Sequence, residues 1–144
     1  MTKILVPIDG SGHSERIIAE LLKIVTLYRE PVQLHVLNVQ PPVPYANKVS
    51  HAIGHDVVDS YLLEQGELAL QPSLAALAAA GVSYKHYIET GEAADAILRV
   101  AGETGCTQIF MGTHGRGAVS GLVLGSVATK VIHLADIPVT LVRQ

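Results

Sequence analysis

The sequence predicts an α/β fold built on a parallel β-sheet covered by helices on both faces. Three observations carry the prediction. Five short apolar runs alternate with helical patterns from end to end. The runs are nearly continuous in Val, Ile and Leu, so they bury both sides of each strand, as in a parallel sheet. The chain has 144 residues, of which 49% are hydrophobic and 16% charged, enough for one domain over 1–144 with a sizeable core and too few for two comfortable ones.

The elements follow in order. The first strand spans Lys3 to Ile8, and Asp9-Gly10-Ser11-Gly12 turns the chain into a helix from about Ser14 to Tyr28, with Ile17, Leu21, Ile24 and Tyr28 on one face. The second strand spans Val32 to Val39. Pro41, Pro42 and Pro44 then impose an extended loop through Tyr45 to about Gly54. Helical periodicity resumes near Val57 and continues toward Ala80, where Gly81 ends it, with a kink or short break expected just before Pro72. Val82 to Ile88 is the third strand. Glu92 to about Thr104 is a helix with Ile97, Leu98 and Ala101 inward, and Thr107 to Met111 the fourth strand. A glycine-rich loop, a helix from Ser126 to about Ala135 and a last strand, Val139 to Val142 after Pro138, complete the chain.

The glycine-rich loop narrows the function. Gly112, Gly115, Gly125 and Ser126 give a G-x2-G-x9-G-S spacing between strand and helix, unlike the G-x4-G-K-[ST] of a Walker loop or the G-x-G-x2-G of a dinucleotide site. At Gly125 and Ser126 the first amides of a helix lack intrahelical acceptors and the helix dipole adds positive potential, which together suit a phosphate. Gly125 allows close approach, and the Ser126 hydroxyl can cap the helix or bond a phosphate oxygen. Gly112 and Gly115 would let the chain turn off the strand with amides aimed inward, and Arg116 adds a cation. The simpler reading is that these glycines only end a strand and start a helix. Asp9 closes the first strand as Gly112 closes the fourth, and ligands of open parallel sheets bind outside the carboxyl ends of strands. If the two strands are neighbours, Pro7, Ile8, Asp9 and the loop line one crevice. Asp9 can then accept from ribose hydroxyls or face a phosphate-bound metal; alternatively it only forms the Asp-Gly turn.

Composition excludes other classes. The formal charge is −3 with no block of Lys or Arg, so a nucleic-acid duplex and a membrane surface are not expected partners. The one cysteine, Cys106, rules out an internal disulfide and a cysteine-based zinc cluster, and reads as a small buried residue. The N-terminus enters a strand at once, and no run reaches the roughly 20 apolar residues that span a bilayer. The expected location is the cytoplasm.

These motifs, taken together, resemble the single-domain, ATP-binding subgroup of the universal stress protein family. The resemblance runs nearly end to end and rests on Val6-Pro7-Ile8-Asp9-Gly10-Ser11 with Ser14, on Gly91-Glu92-Ala93-Ala94-Asp95-Ala96-Ile97, on Met111 through Val127, and on Pro138-Val139. It implies an open five-stranded parallel sheet of order 3-2-1-4-5, adenine nucleotide alpha hydrolase-like, with ATP at its carboxyl edge. Pro7, Ile8 and Val39 would border adenine, and Asp9 would take the ribose or a Mg²⁺ that accompanies the nucleotide. Met111, Gly112, His114, Gly115 and Arg116 would meet sugar and phosphates, with Gly125, Ser126 and Val127 at the phosphate tail. The resemblance further implies a homodimer through Val139 to Val142.

Several features are individual to this chain. Cys106-Thr107-Gln108 opens the fourth strand where the family commonly has an acidic residue. His51 and His55, four apart and followed by Asp56 and Asp59, could place metal ligands on one helical face, although Gly54 weakens helix there and solvated loop histidines are the simpler reading. His13, His35, His86 and His133 have no recognisable partner constellation. Asp9, His114 and Arg116 are the only plausible groups for hydrolysis, and none forms a nucleophile–base pair. The leading expectation is an ATP-dependent stress-response sensor or regulator read by an unknown protein partner, with slow hydrolysis at most. The alternatives are a weak ATPase and a dimeric adaptor that binds no nucleotide.

Overall fold

A computed structural model describes residues 1–43, 46–115 and 124–143. Strands β1 (Thr2–Pro7), β2 (Val32–Gln40), β3 (Tyr84–Thr90), β4 (Gln108–Gly112) and β5 (Val139–Val142) form one parallel sheet in the order β3-β2-β1-β4-β5. That is the expected order. Helices α1 (His13–Val25), α2 (Ala46–Ile53), α3 (His55–Ala79), α4 (Ala93–Thr104) and α5 (Ser126–Leu134) connect the strands.

Strand periodicity divides the apolar residues between two cores, because successive side chains point to opposite faces. Ile4, Val6, Leu34, Val36 and Phe110 meet Ile17, Ile18 and Leu21 of α1 and Leu70 and Leu77 of α3. On the other face Leu5, Leu37, Ile109 and Met111 meet Ala94, Ile97, Val100 and Ala101 of α4 and Ala128 and Val131 of α5. Cys106 belongs to this second core and is buried, as its sequence context suggests. Burial pushes its thiol pKa up.

Two expectations need correction. The segment after β2 is not loop as far as Gly54, because α2 occupies Ala46–Ile53 and packs on α3; Pro44 and Tyr45 lie outside the described residues. Prolines at 41, 42 and 44 constrain only their immediate neighbours, so Ala46 onward is free to coil. The second correction concerns Pro72. Helix α3 is continuous through it, so of the kink or short break expected there the break is absent; Pro72 and Leu68, whose carbonyl loses its N–H donor, are both exposed. Gly54, at φ 91°, is what separates α2 from α3. It puts His51 and His55 on different helices, and among the described residues no cluster of three His, Cys, Asp or Glu could hold a metal.

Candidate functional site

The order β3-β2-β1-β4-β5 makes β1 and β4 neighbours, and the chain crosses from one side of β1 to the other between β3 and β4. This is a topological switch point, the place where an open parallel sheet offers a crevice at its carboxyl edge. Pro7 ends the ladder there. The Ile8 N–H donates to the Leu37 carbonyl of β2 at 2.8 Å, so by alternation the donor-less nitrogen of Pro7 faces β4. The β1–β4 register accordingly covers only Ile4↔Gln108 and Leu5↔Ile109.

Asp9 follows directly. Its Oδ1 accepts the Ser11 N–H at 2.9 Å and lies 3.5 Å from the Ser14 hydroxyl, which fixes the turn into α1. Its Oδ2 points to the loop after β4, where a Cβ built on Gly115 would lie only 2.9 Å away. One carboxylate oxygen therefore forms the turn considered for Asp9, while the other lies beside Gly115 in the loop after β4.

The loop after β4 is held from several sides. Thr113 is buried; its N–H donates to the Val142 carbonyl at 3.1 Å and its own carbonyl accepts the Gly125 N–H at 2.7 Å. The Thr113 hydroxyl lies 3.1 Å from His114 Nδ1. A Cβ on Gly125 would approach the Thr113 oxygen to 3.2 Å and the His114 Cα to 3.5 Å. The two ends of the glycine loop thus lie against each other, with Asp9 beside them. Arg116 falls outside the described residues, as does the rest of 116–123.

Gly125 is the N-cap of α5 in an extended conformation and, as a glycine, brings no side chain of its own to cap the helix. Ser126 is therefore the first helical residue, exposed, and does not take the capping role considered for it. The carbonyl of Gly125 accepts the Thr129 N–H at 3.0 Å and the Thr129 hydroxyl at 2.8 Å. Helix α4 contrasts with α5. There the Glu92 carboxylate accepts from the Ala94 and Asp95 amides at 3.2 and 2.8 Å, and the Asp95 N–H, with help from Lys130, lowers its pKa. An acidic cap closes α4 to anions, whereas α5 keeps its first amides beside the switch point.

On the far side of β1, Pro7 pairs in register with Leu37, so Val39 extends beyond the end of β1 at the same edge. Met111 is buried in the second core, and Val127 packs against it. Pro7, Ile8, Asp9, Met111, Gly112, His114, Gly115, Gly125, Ser126 and Val127 all occur at the carboxyl edge of β1 and β4 or in the segments that meet there, with Val39 at the end of β2. Two residues were missed in the sequence. Asn38, 1% exposed, donates from Nδ2 to the Ile8 carbonyl at 2.9 Å and accepts Gln40 Nε2 on Oδ1 at 2.7 Å. The polar residue within Leu34-His35-Val36-Leu37-Asn38-Val39 was the available signal. Thr113 had none beyond its place between Gly112 and His114.

Known proteins share this fold. The description "Universal stress protein family" matches residues 1–143. A universal stress protein from the QAH/OAS sulfhydrylase 3'region of Thermus aquaticus is 33% identical over 141 residues, covering 97% of each chain. The structure of hypothetical protein MJ0577 superposes with a TM-score of 0.83 at 24% identity, covering 99% of this chain and 96% of that one. A universal stress protein in complex with cAMP gives a TM-score of 0.67 at 21% identity, with 99% and 96% covered. One from Archaeoglobus fulgidus in complex with dAMP gives 0.64 at 21% identity, with 98% and 97% covered. No described helix is long and apolar enough to cross a membrane. With a family match from residue 1 to 143 and a relative 33% identical along nearly its whole length, the chain belongs to the universal stress protein family.

Proposed function

We propose that this protein is a single-domain, ATP-binding sensor or regulator of stress responses whose nucleotide occupies the crevice between the carboxyl ends of β1 and β4. The observation that carries the reading is the convergence of three segments distant in sequence. The Asp9 carboxylate, the Thr113–Gly115 backbone and the start of α5, with glycine at its N-cap, meet at the switch point. The cAMP and dAMP complexes of two structural neighbours support an adenine nucleotide as ligand.

In this reading the amides at the start of α5 and the Ser126 hydroxyl hold the phosphate tail. Gly112, His114, Gly115 and Arg116 contact sugar and phosphates, while Pro7, Ile8, Met111, Val39 and Val127 border the base and ribose. Asp9 accepts from the ribose or faces Mg²⁺, which takes one or two carboxylates together with phosphate oxygens. Lacking a nucleophile–base pair, the site retains ATP and hydrolyses it slowly at most, so that occupancy is the signal read by a protein partner. The β5 strand, Val139–Val142, is a sheet edge and pairs with a second copy. The protein acts in the cytoplasm, without nucleic acid or membrane.

Calorimetric titration with ATP and Mg²⁺ tests the reading. The expected result is saturable binding of about one nucleotide per chain near micromolar affinity, roughly 8 kcal/mol. Absence of heat at millimolar ATP would instead assign the glycine loop to architecture and the protein to the adaptor class.

A further inference from the structure

Main-chain groups of successive residues in a parallel strand point alternately to its two neighbours. On β2 the even-numbered residues face β3: the Leu34 N–H donates to Ser83 at 3.0 Å, and the Gln40 carbonyl accepts from Gly91 at 3.0 Å. The odd-numbered residues face β1, as the 2.8 Å bond from the Ile8 N–H to the Leu37 carbonyl requires. Val39 therefore turns its N–H and C=O toward β1 at a height where the β1–β2 register has ended with Pro7↔Leu37. The next bond of a continuing ladder would run from the Val39 N–H to the Ile8 carbonyl. Among the described residues that bond is not made, and the Ile8 carbonyl accepts Asn38 Nδ2 instead, at 2.9 Å. Gln40 Nε2, donating to Asn38 Oδ1 at 2.7 Å, holds the amide in that orientation.

We propose that Asn38 is a positioning residue: by occupying the Ile8 carbonyl it keeps the N–H and C=O of Val39 open at the carboxyl edge, where the pair reads the hydrogen-bonding edge of a nucleobase. The inference rests on the nucleotide-binding reading above. A neighbouring donor and acceptor on one residue complement an edge that presents an acceptor beside an amino donor, as adenine does. Hypoxanthine presents the reverse order, N–H beside carbonyl, and leaves the pair mismatched. Replacing Asn38 with an apolar residue frees the Ile8 carbonyl, which then captures the Val39 N–H and closes the ladder over the reading position.

The test compares wild type, Asn38→Leu and Gln40→Leu; the last removes only the brace at a partly exposed site and covers the case in which the first does not fold. Amide hydrogen exchange is followed on the unliganded proteins, and ATP, ITP and inorganic tripolyphosphate are titrated into each. In wild type the Val39 amide exchanges faster than that of Leu37, and ATP binds about tenfold more tightly than ITP. In Asn38→Leu the Val39 amide slows, the ATP preference disappears, and tripolyphosphate binding is unchanged; Gln40→Leu changes in the same direction by less. A Val39 amide already protected in unliganded wild type would overturn the proposal, as would an ATP preference that survives both substitutions or falls in step with tripolyphosphate affinity. Wild type that binds no nucleotide would defeat the base-reading role together with the nucleotide reading, while the exchange data would still decide whether Asn38 opens the Val39 amide.

Discussion

At the scale of single residues, the crevice depends on what a missing Cβ permits. A methyl group on Gly112 would meet the Cδ1 of Ile17 at 3.0 Å, the far end of a flexible side chain that can move aside. A methyl group on Gly115 would meet Asp9 Oδ2 at 2.9 Å, and Asp9 is tied down through its other oxygen by the Ser11 amide. Gly115→Ala is therefore expected to displace the carboxylate and weaken MgATP binding about tenfold, close to 1.4 kcal/mol. Gly112→Ala should weaken it much less. Calorimetry on the two variants measures the contrast, and equal losses would mean that Asp9 has no part in the site. The glycines and Asp9 were legible in the sequence because their spacing restricts the chemistry. Asn38 was not, since a polar residue inside an apolar strand gives no sign of whether its amide faces the core, a neighbouring strand or a ligand.

At the scale of elements, the sheet and most helices were legible from periodicity, and the failures share a physical cause. Strand boundaries moved by one or two residues, because ladders end where a neighbouring strand ends and not where apolar character does. The α2 helix was masked by prolines that affect only adjacent residues, and Pro72 does not break α3 because the carbonyl it leaves without a donor belongs to an exposed residue. Gly66, likewise silent in the sequence, is buried where α3 packs tightly against Ile88 of β3. A Cβ there would lie 2.4 Å from Cγ2 of Ile88, a branch methyl fixed to a β3 backbone. Overpacking of this kind costs about 1–3 kcal/mol, against roughly 1 kcal/mol gained in helix propensity. Gly66→Ala should then lower stability by up to about 2 kcal/mol, read as a reduced urea midpoint at unchanged slope. In an Ile88→Ala background the same substitution should cost less than it does alone, because the clashing methyl is gone. Strict additivity of the two changes would show that α3 is not held at this contact.

At the scale of the whole molecule, one of the two apolar cores carries a titratable group. His35 is 2% exposed, on the α4 and α5 side of the sheet; its Nδ1 lies 2.8 Å from the Tyr87 hydroxyl and its Nε2 3.1 Å from Gln33 Oε1. Its ring stacks on Tyr87 with centroids 5.7 Å apart. The neutral imidazole with its proton on Nε2 satisfies both contacts, donating to Gln33 and accepting from Tyr87. Burial holds the pKa of His35 below its ordinary value, and the positive charges of Lys3 and Lys85 push it the same way. The unfolded chain therefore takes up a proton at this residue before the folded protein does. Stability contributed by neutral His35 is complete above its unfolded pKa of about 6.5, declines as pH falls below that value, and levels off below the folded pKa. The other described histidines lie at the surface or partly exposed, so the decline should be traceable to this residue. Urea unfolding at pH 7.5, 6.5, 5.5 and 4.5 should show stability falling toward acid in wild type, and a shallower profile in His35→Gln, whose side chain keeps polar contacts but does not titrate. Parallel profiles would mean that the pH response arises elsewhere, from the carboxylates or the surface histidines, and that the core admits the imidazolium without cost.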